Sequence, residues 1–175
     1  FMLSMCFIFI LLPIVLRVSN IINIFFIIYL ICIEVMITFV LLLRINEECI
    51  DFKQNGYKII IWCGITKVKF IIICRKVDLV HTQGHGRNLK IIIITKSGFR
   101  NKRIRPVDIN FFMKYPYIAK MYIEIKLQNP EKTYFYIVIN NGGFRKYSLL
   151  NELYKTCDQA VFSDDAIENI KEYRD

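Results

Sequence analysis

The alternation of apolar and polar positions changes character once along this chain. Residues 21–43 are an almost unbroken apolar run closed by Arg44. At about 1.5 Å rise per residue, a helix over this run is long enough to cross a hydrocarbon core of roughly 30 Å. Residues 1–16 form a second apolar run that begins without a basic flank and is shorter than the roughly 17 to 25 residues of a usual crossing. Neither a basic leader nor a small-residue cleavage site marks a signal peptide around Arg17, Val18, Ser19 and Asn20. The pattern predicts a transmembrane helical hairpin over residues 1–45 that turns at 17–20. Its first helix reads as cut short, since the chain opens on Phe1 rather than Met.

From Glu48 onward the period becomes that of strands. Residues 57–63 are a short apolar run, and residues 67–74 place Val68, Phe70, Ile72 and Cys74 on one face. Residues 89–96 and 121–127 behave alike, the latter with Lys120, Tyr122, Glu124 and Lys126 turned outward. Over residues 133–139, Phe135, Ile137 and Ile139 oppose Tyr134 and Tyr136. Turn signals fall at Asn55-Gly56, Ser97-Gly98, Asn129-Pro130 and residues 141–143, which suits a meander of antiparallel strands.

Two short helices interrupt the meander. One covers residues 107–115 between Pro106 and Pro116, with Phe111, Phe112 and Tyr115 inward. The other is N-capped by Ser148 and carries Leu149, Leu150, Leu153, Tyr154, Cys157 and Val161 at helical spacing. Ser163, Asp164 and Asp165 start a last short helix that frays into a charged tail. The expected organisation is a hairpin at 1–45, a mainly-β (α+β) domain at 46–162, and a short helix and tail at 163–175.

Charge sharpens the topology. Of the net +9, all but +1 lies beyond residue 45, because Arg17, Arg44 and Glu34 are the charged residues before it. Lys and Arg are retained on the cytoplasmic side, so the expected location is a cytoplasmic membrane with the β domain facing the cytoplasm. The six cysteines form no C-x-x-C pair, which disfavours a zinc ribbon or a disulfide framework and favours reduced thiols.

The segment 64–98 resembles the bacterial membrane-anchored pleckstrin-homology-like domain proteins. It has Gly64, Lys67 and Lys69, then Lys76-Val77-Asp78-Leu79-Val80, Gln83 and Arg87, an alternating stretch from Leu89 to Thr95, and Ser97-Gly98. Where that family has a more apolar turn, this chain has Gly84-His85-Gly86-Arg87, and residues 120–175 share no motif with it. The resemblance implies a PH-like antiparallel barrel with a C-terminal capping helix. It implies a scaffold for lipid or protein contacts, with no catalytic residues and no cofactor.

Candidate chemistry is sparse. Lys96, Arg100, Lys102, Arg103 and Arg105, with Phe99 among them, form a basic stretch without an acidic residue, suited to anionic phospholipid headgroups. The same charges would also protect a strand edge from aggregation. A membrane or cytoplasmic protein is the other partner considered, and no recognition fold points to nucleic acid. Glu34, near the middle of the second apolar run, is an intramembrane carboxyl that packs against a neighbouring helix or, in a fragment of a larger transport or enzyme assembly, works as an acid. His81 and His85 are four apart, but Gly84 and Gly86 argue for an exposed hairpin tip rather than a metal site. No nucleophile elbow or phosphate loop is present.

Overall fold

In the computed structural model, which describes residues 2–18, 24–98 and 104–174, the chain divides into two units, Phe1–Asn46 and Glu47–Asp175. The first unit holds helices α1 (Met2–Val18) and α2 (Ile24–Glu48). The 17 residues of α1 reach about 26 Å, and Pro13 removes one of its backbone donors. The 25 residues of α2 reach about 38 Å. Among the described residues α2 is the one helix long and apolar enough to cross a membrane. The two-crossing hairpin is thereby corrected to a single helix of spanning length, and most of its expected turn lies outside the described residues. Apolar side chains cover α2 nearly all round, with Ile37 alone buried.

The second unit is an α+β domain. Strands β1 (Ile50–Asn55), β2 (Lys58–Cys63) and β3 (Val68–Ile73) make an antiparallel sheet in the order β1-β2-β3. Asn55 pairs with Lys58 across a two-residue turn, and Gly56 at φ +60° supplies the left-handed conformation that such a turn requires. The other strands are β4 (Val77–Gln83), β5 (Lys90–Thr95), β6 (Arg105–Pro106), β7 (Phe135–Ile139) and β8 (Val161–Phe162). They form a second sheet in the order β6-β7-β5-β4-β8, antiparallel except where β8 runs beside β4. No closed barrel joins the described strands, so the PH-like barrel is also corrected.

The larger sheet is buried on both faces. Val80, Ile91, Ile93, Ile137 and Ile139 face a core shared with Ile59, Ile61 and Phe70 of the smaller sheet. Helices α5 (Arg145–Thr156) and α6 (Asp164–Arg174) close that core with Leu149, Leu150, Leu153, Ala166 and Ile170. The other face, with Leu79, Ile92, Ile94 and Tyr136, is covered by α3 (Ile109–Lys114) and α4 (Pro116–Gln128) through Phe111, Tyr115, Ile118 and Tyr122. Strands buried on both faces carry near-continuous apolar runs, which accounts for the four consecutive isoleucines of β5.

Several expected elements change identity. Residues 121–127 are helical, not a strand. Their alternation coexists with a helical stripe of Ile118, Tyr122 and Ile125, Pro116 opens the helix at its first turn, and the apolar Ile123 and Leu127 are left exposed. Helix α5 starts at Arg145, so Ser148 lies inside it rather than capping it. The earlier start places Lys146 on the buried face, where its Nζ donates to the carbonyls of Arg87 and Asn140, both at 2.9 Å. With desolvation as the main cause, burial lowers the Lys146 pKa. Helix α6 continues to Arg174 and packs into the core instead of fraying. Of the described cysteines, Cys63, Cys74 and Cys157 are buried, and Cys32 and Cys49 are exposed.

Candidate functional site

Two clefts flank the junction between α3 and α4. Asp108 starts α3 by accepting the Phe111 N–H at 2.9 Å, and the six-residue helix stops at Tyr115, where Pro116 forces a new start. The first cleft, of about 350 Å³, is lined by Arg105 of β6, Lys114 and Tyr115 of the junction, Tyr136 and Val138 of β7, and Asn140 and Asn141. Among the described residues, no lining residue is acidic. Arg105 is exposed and stands opposite Tyr136 in the β6–β7 register. The Lys114 ammonium lies 5.6 Å from the centre of the Tyr115 ring. Such a cleft suits an anion.

The second cleft, of about 250 Å³, is lined by His81, Thr82, Gln83, Gly84 and His85 from the end of β4, Tyr117 of α4, and Asp165 and Asn169 of α6. His81 is buried, not at an exposed tip, because residues 77–83 form an inner strand of the larger sheet. Its Nδ1 lies 2.8 Å from Ser163 Oγ and 3.8 Å from Asp165 Oδ2. Ser163 Oγ also accepts the Ala166 N–H at 3.3 Å, so this hydroxyl ties the imidazole to the start of α6. Burial holds the imidazole below its ordinary 6.5, with Asp165 pulling weakly the other way. Ser163 and Asp165 share one ring nitrogen, so the three do not form a hydrolytic relay, which needs them on opposite nitrogens.

Asn169 completes the floor. Its Nδ2 donates to Thr82 Oγ1 at 3.0 Å and to the Asp165 carbonyl at 2.8 Å, while its buried Oδ1 has no partner. The backbone carbonyl fixes the orientation of the amide, because a flipped amide would set two oxygens against each other.

The other expected residues are dispersed. Lys96 is ion-paired to the largely buried Asp78 rather than left free. Phe99, Arg100, Lys102 and Arg103 lie outside the described residues. Glu34 is half-buried within α2, where the Thr38 hydroxyl donates to its carbonyl oxygen at 2.8 Å. His85 is exposed, and no group of three His, Cys, Asp or Glu side chains suited to a metal occurs among the described residues. Lys114, Tyr117, Asp165 and Asn169 were not singled out as site residues in the sequence. Asp165 had a helix-start signal, and nothing local marks the others.

No protein-family model, curated protein or solved structure matches the chain.

Proposed function

We propose that this chain is a membrane-anchored interaction protein whose α+β domain contacts anionic phospholipid at the bilayer surface. The observation that carries this reading is the cleft of about 350 Å³ that presents Arg105 and Lys114 with no acidic residue among the described residues of its lining. Its support is electrostatic. Beyond residue 45 the chain carries most of its net +9, and each basic group near an anionic leaflet contributes about 1 kcal/mol. In this reading α2 is the span and the domain lies on the cytoplasmic side, where basic residues are retained. Of the basic stretch Lys96, Phe99, Arg100, Lys102, Arg103 and Arg105, Arg105 lines this cleft, and a cytoplasmic or membrane protein with an acidic face is a second occupant for it.

The test compares the full chain in nanodiscs of phosphatidylcholine with nanodiscs rich in phosphatidylglycerol. Hydrogen exchange over residues 105–115 is expected to slow in the anionic discs and to recover with added salt. Replacing Arg105 and Lys114 together by Gln should weaken that protection by about 2 kcal/mol, or roughly thirtyfold. Equal exchange in both kinds of disc would overturn the reading.

A further inference from the structure

The His81 cleft differs from the basic one in every charged group that lines it. Among the described residues its lining holds no Lys or Arg, and its anionic group is the Asp165 carboxylate, whose side chain is half-exposed at 54% and so open to a ligand. Tyr117, also about half-exposed, contributes a ring whose centre is 5.4 Å from that of His81. The buried surroundings of the imidazole, 5% exposed, oppose its protonation. Asn169, 1% exposed, brings a carboxamide oxygen that accepts from nothing. A half-exposed carboxylate and an aromatic face around one small space are the complement of an organic cation.

From this arrangement we propose that the cleft binds a small organic cation, a primary or methylated ammonium, held by Asp165 and the face of Tyr117. A bound anion would meet the Asp165 carboxylate with no compensating charge. A metal ion would lack a third protein ligand among the described residues. At about 250 Å³ the space is below the usual range for drug-sized ligands, so the occupant is a compact group such as an alkylammonium. A smaller pocket of about 110 Å³ shares His81, Gln83 and Tyr117 with this cleft, so a longer amine chain would extend toward it. This inference does not depend on the membrane reading, since it uses neither the basic cleft nor α2.

The probes are methylammonium and tetramethylammonium chloride, titrated into the full chain in neutral detergent micelles with sodium chloride at matched ionic strength as reference. The readout is the ring resonances of His81 in ¹⁵N-histidine-labelled protein. Saturable shifts are expected with an ammonium and not with sodium. Asp165→Asn should weaken binding at least tenfold, whereas Asp164→Asn, on the same turn but outside the lining, should leave it unchanged. If Asp165→Asn fails to fold, Tyr117→Leu keeps the apolar bulk without the ring face and should weaken binding severalfold. Shifts that match the sodium chloride reference would overturn the proposal. So would wild-type affinity in Asp165→Asn, or in Tyr117→Leu where that variant is the one tested.

Discussion

The two clefts beside the α3–α4 junction each take part of their lining from that stretch and have opposite electrostatics. Tyr115 lines the basic cleft and Tyr117 lines the His81 cleft, two residues apart across Pro116. Their charges follow the helix ends that border them. Lys114 lies in the last turn of α3, where the carbonyl end of the helix favours a cation. Asp165 lies in the first turn of α6, where unpaired N–H groups favour an anion. Charges with a structural reason to be where they are still set what each cleft can accept. A basic rim and an acidic wall therefore follow from which end of a helix reaches the sheet, and the packing that fixes those ends controls both clefts.

The largest test of that dependence is Phe111→Ala. Phe111 is fully buried, with ring centres of Tyr115, Tyr122 and Tyr136 at 5.5, 6.5 and 4.6 Å. Its truncation should cost about 3–5 kcal/mol, because the tyrosines cannot close over the space left behind. Denaturant unfolding measures the loss, and binding at both clefts should weaken together in the protein that remains folded. Loss confined to one cleft would show that the junction is not their common support.

How far this arrangement was legible in the sequence depends on the distance between partners. Strands β2, β3, β5 and β7 were marked by their own apolar runs, and Asn55-Gly56 marked the first turn. Strand β4 was hidden because His81 and Thr82 occupy buried positions where a strand pattern calls for apolar residues. Their side chains are satisfied by Ser163 and Asn169, which are 82 and 87 positions away, so no local signal could have excused them. Residues 121–127 failed in the opposite way, since Met121 and Ile125 suit both a strand period and a helical one, while Tyr122, outward in a strand, is buried in the helix. The run from Lys96 to Arg105 declared its charge openly. Its use was not readable, because the partner of Lys96 is Asp78, on the neighbouring strand. Of the basic cleft, Arg105 was visible and Lys114 was not.

A smaller effect should separate the clefts. Asp108 caps α3 through the Phe111 N–H and has no part in the lining of the His81 cleft. Asp108→Ala should cost about 1 kcal/mol of stability, the usual loss of an N-cap. The start of α3 would loosen next to β6, so protection of residues 105–115 in anionic nanodiscs should fall while methylammonium binding stays as in wild type. If ammonium binding fell in step, the two clefts would not be separable by the cap.

The smallest effect concerns protons and sharpens the electrostatic half of the comparison. Because burial depresses the His81 pKa, the folded chain gives up this proton more readily than the unfolded chain does. The unfolded state then binds more protons, so stability must rise with pH in the window below 6.5 and level off above it. His81→Gln should remove that part of the slope. Asp165 partly offsets the burial, which keeps the effect small, and it faces the ring from α6 beside Ser163 while Tyr117 faces it from α4. Asp165→Asn should therefore make the rise with pH steeper than in wild type, as measured by denaturant unfolding of the full chain between pH 5 and 8. A shallower rise in that variant would mean that Asp165 does not act on the imidazole, and the acidic character assigned to this cleft would have to rest on other groups.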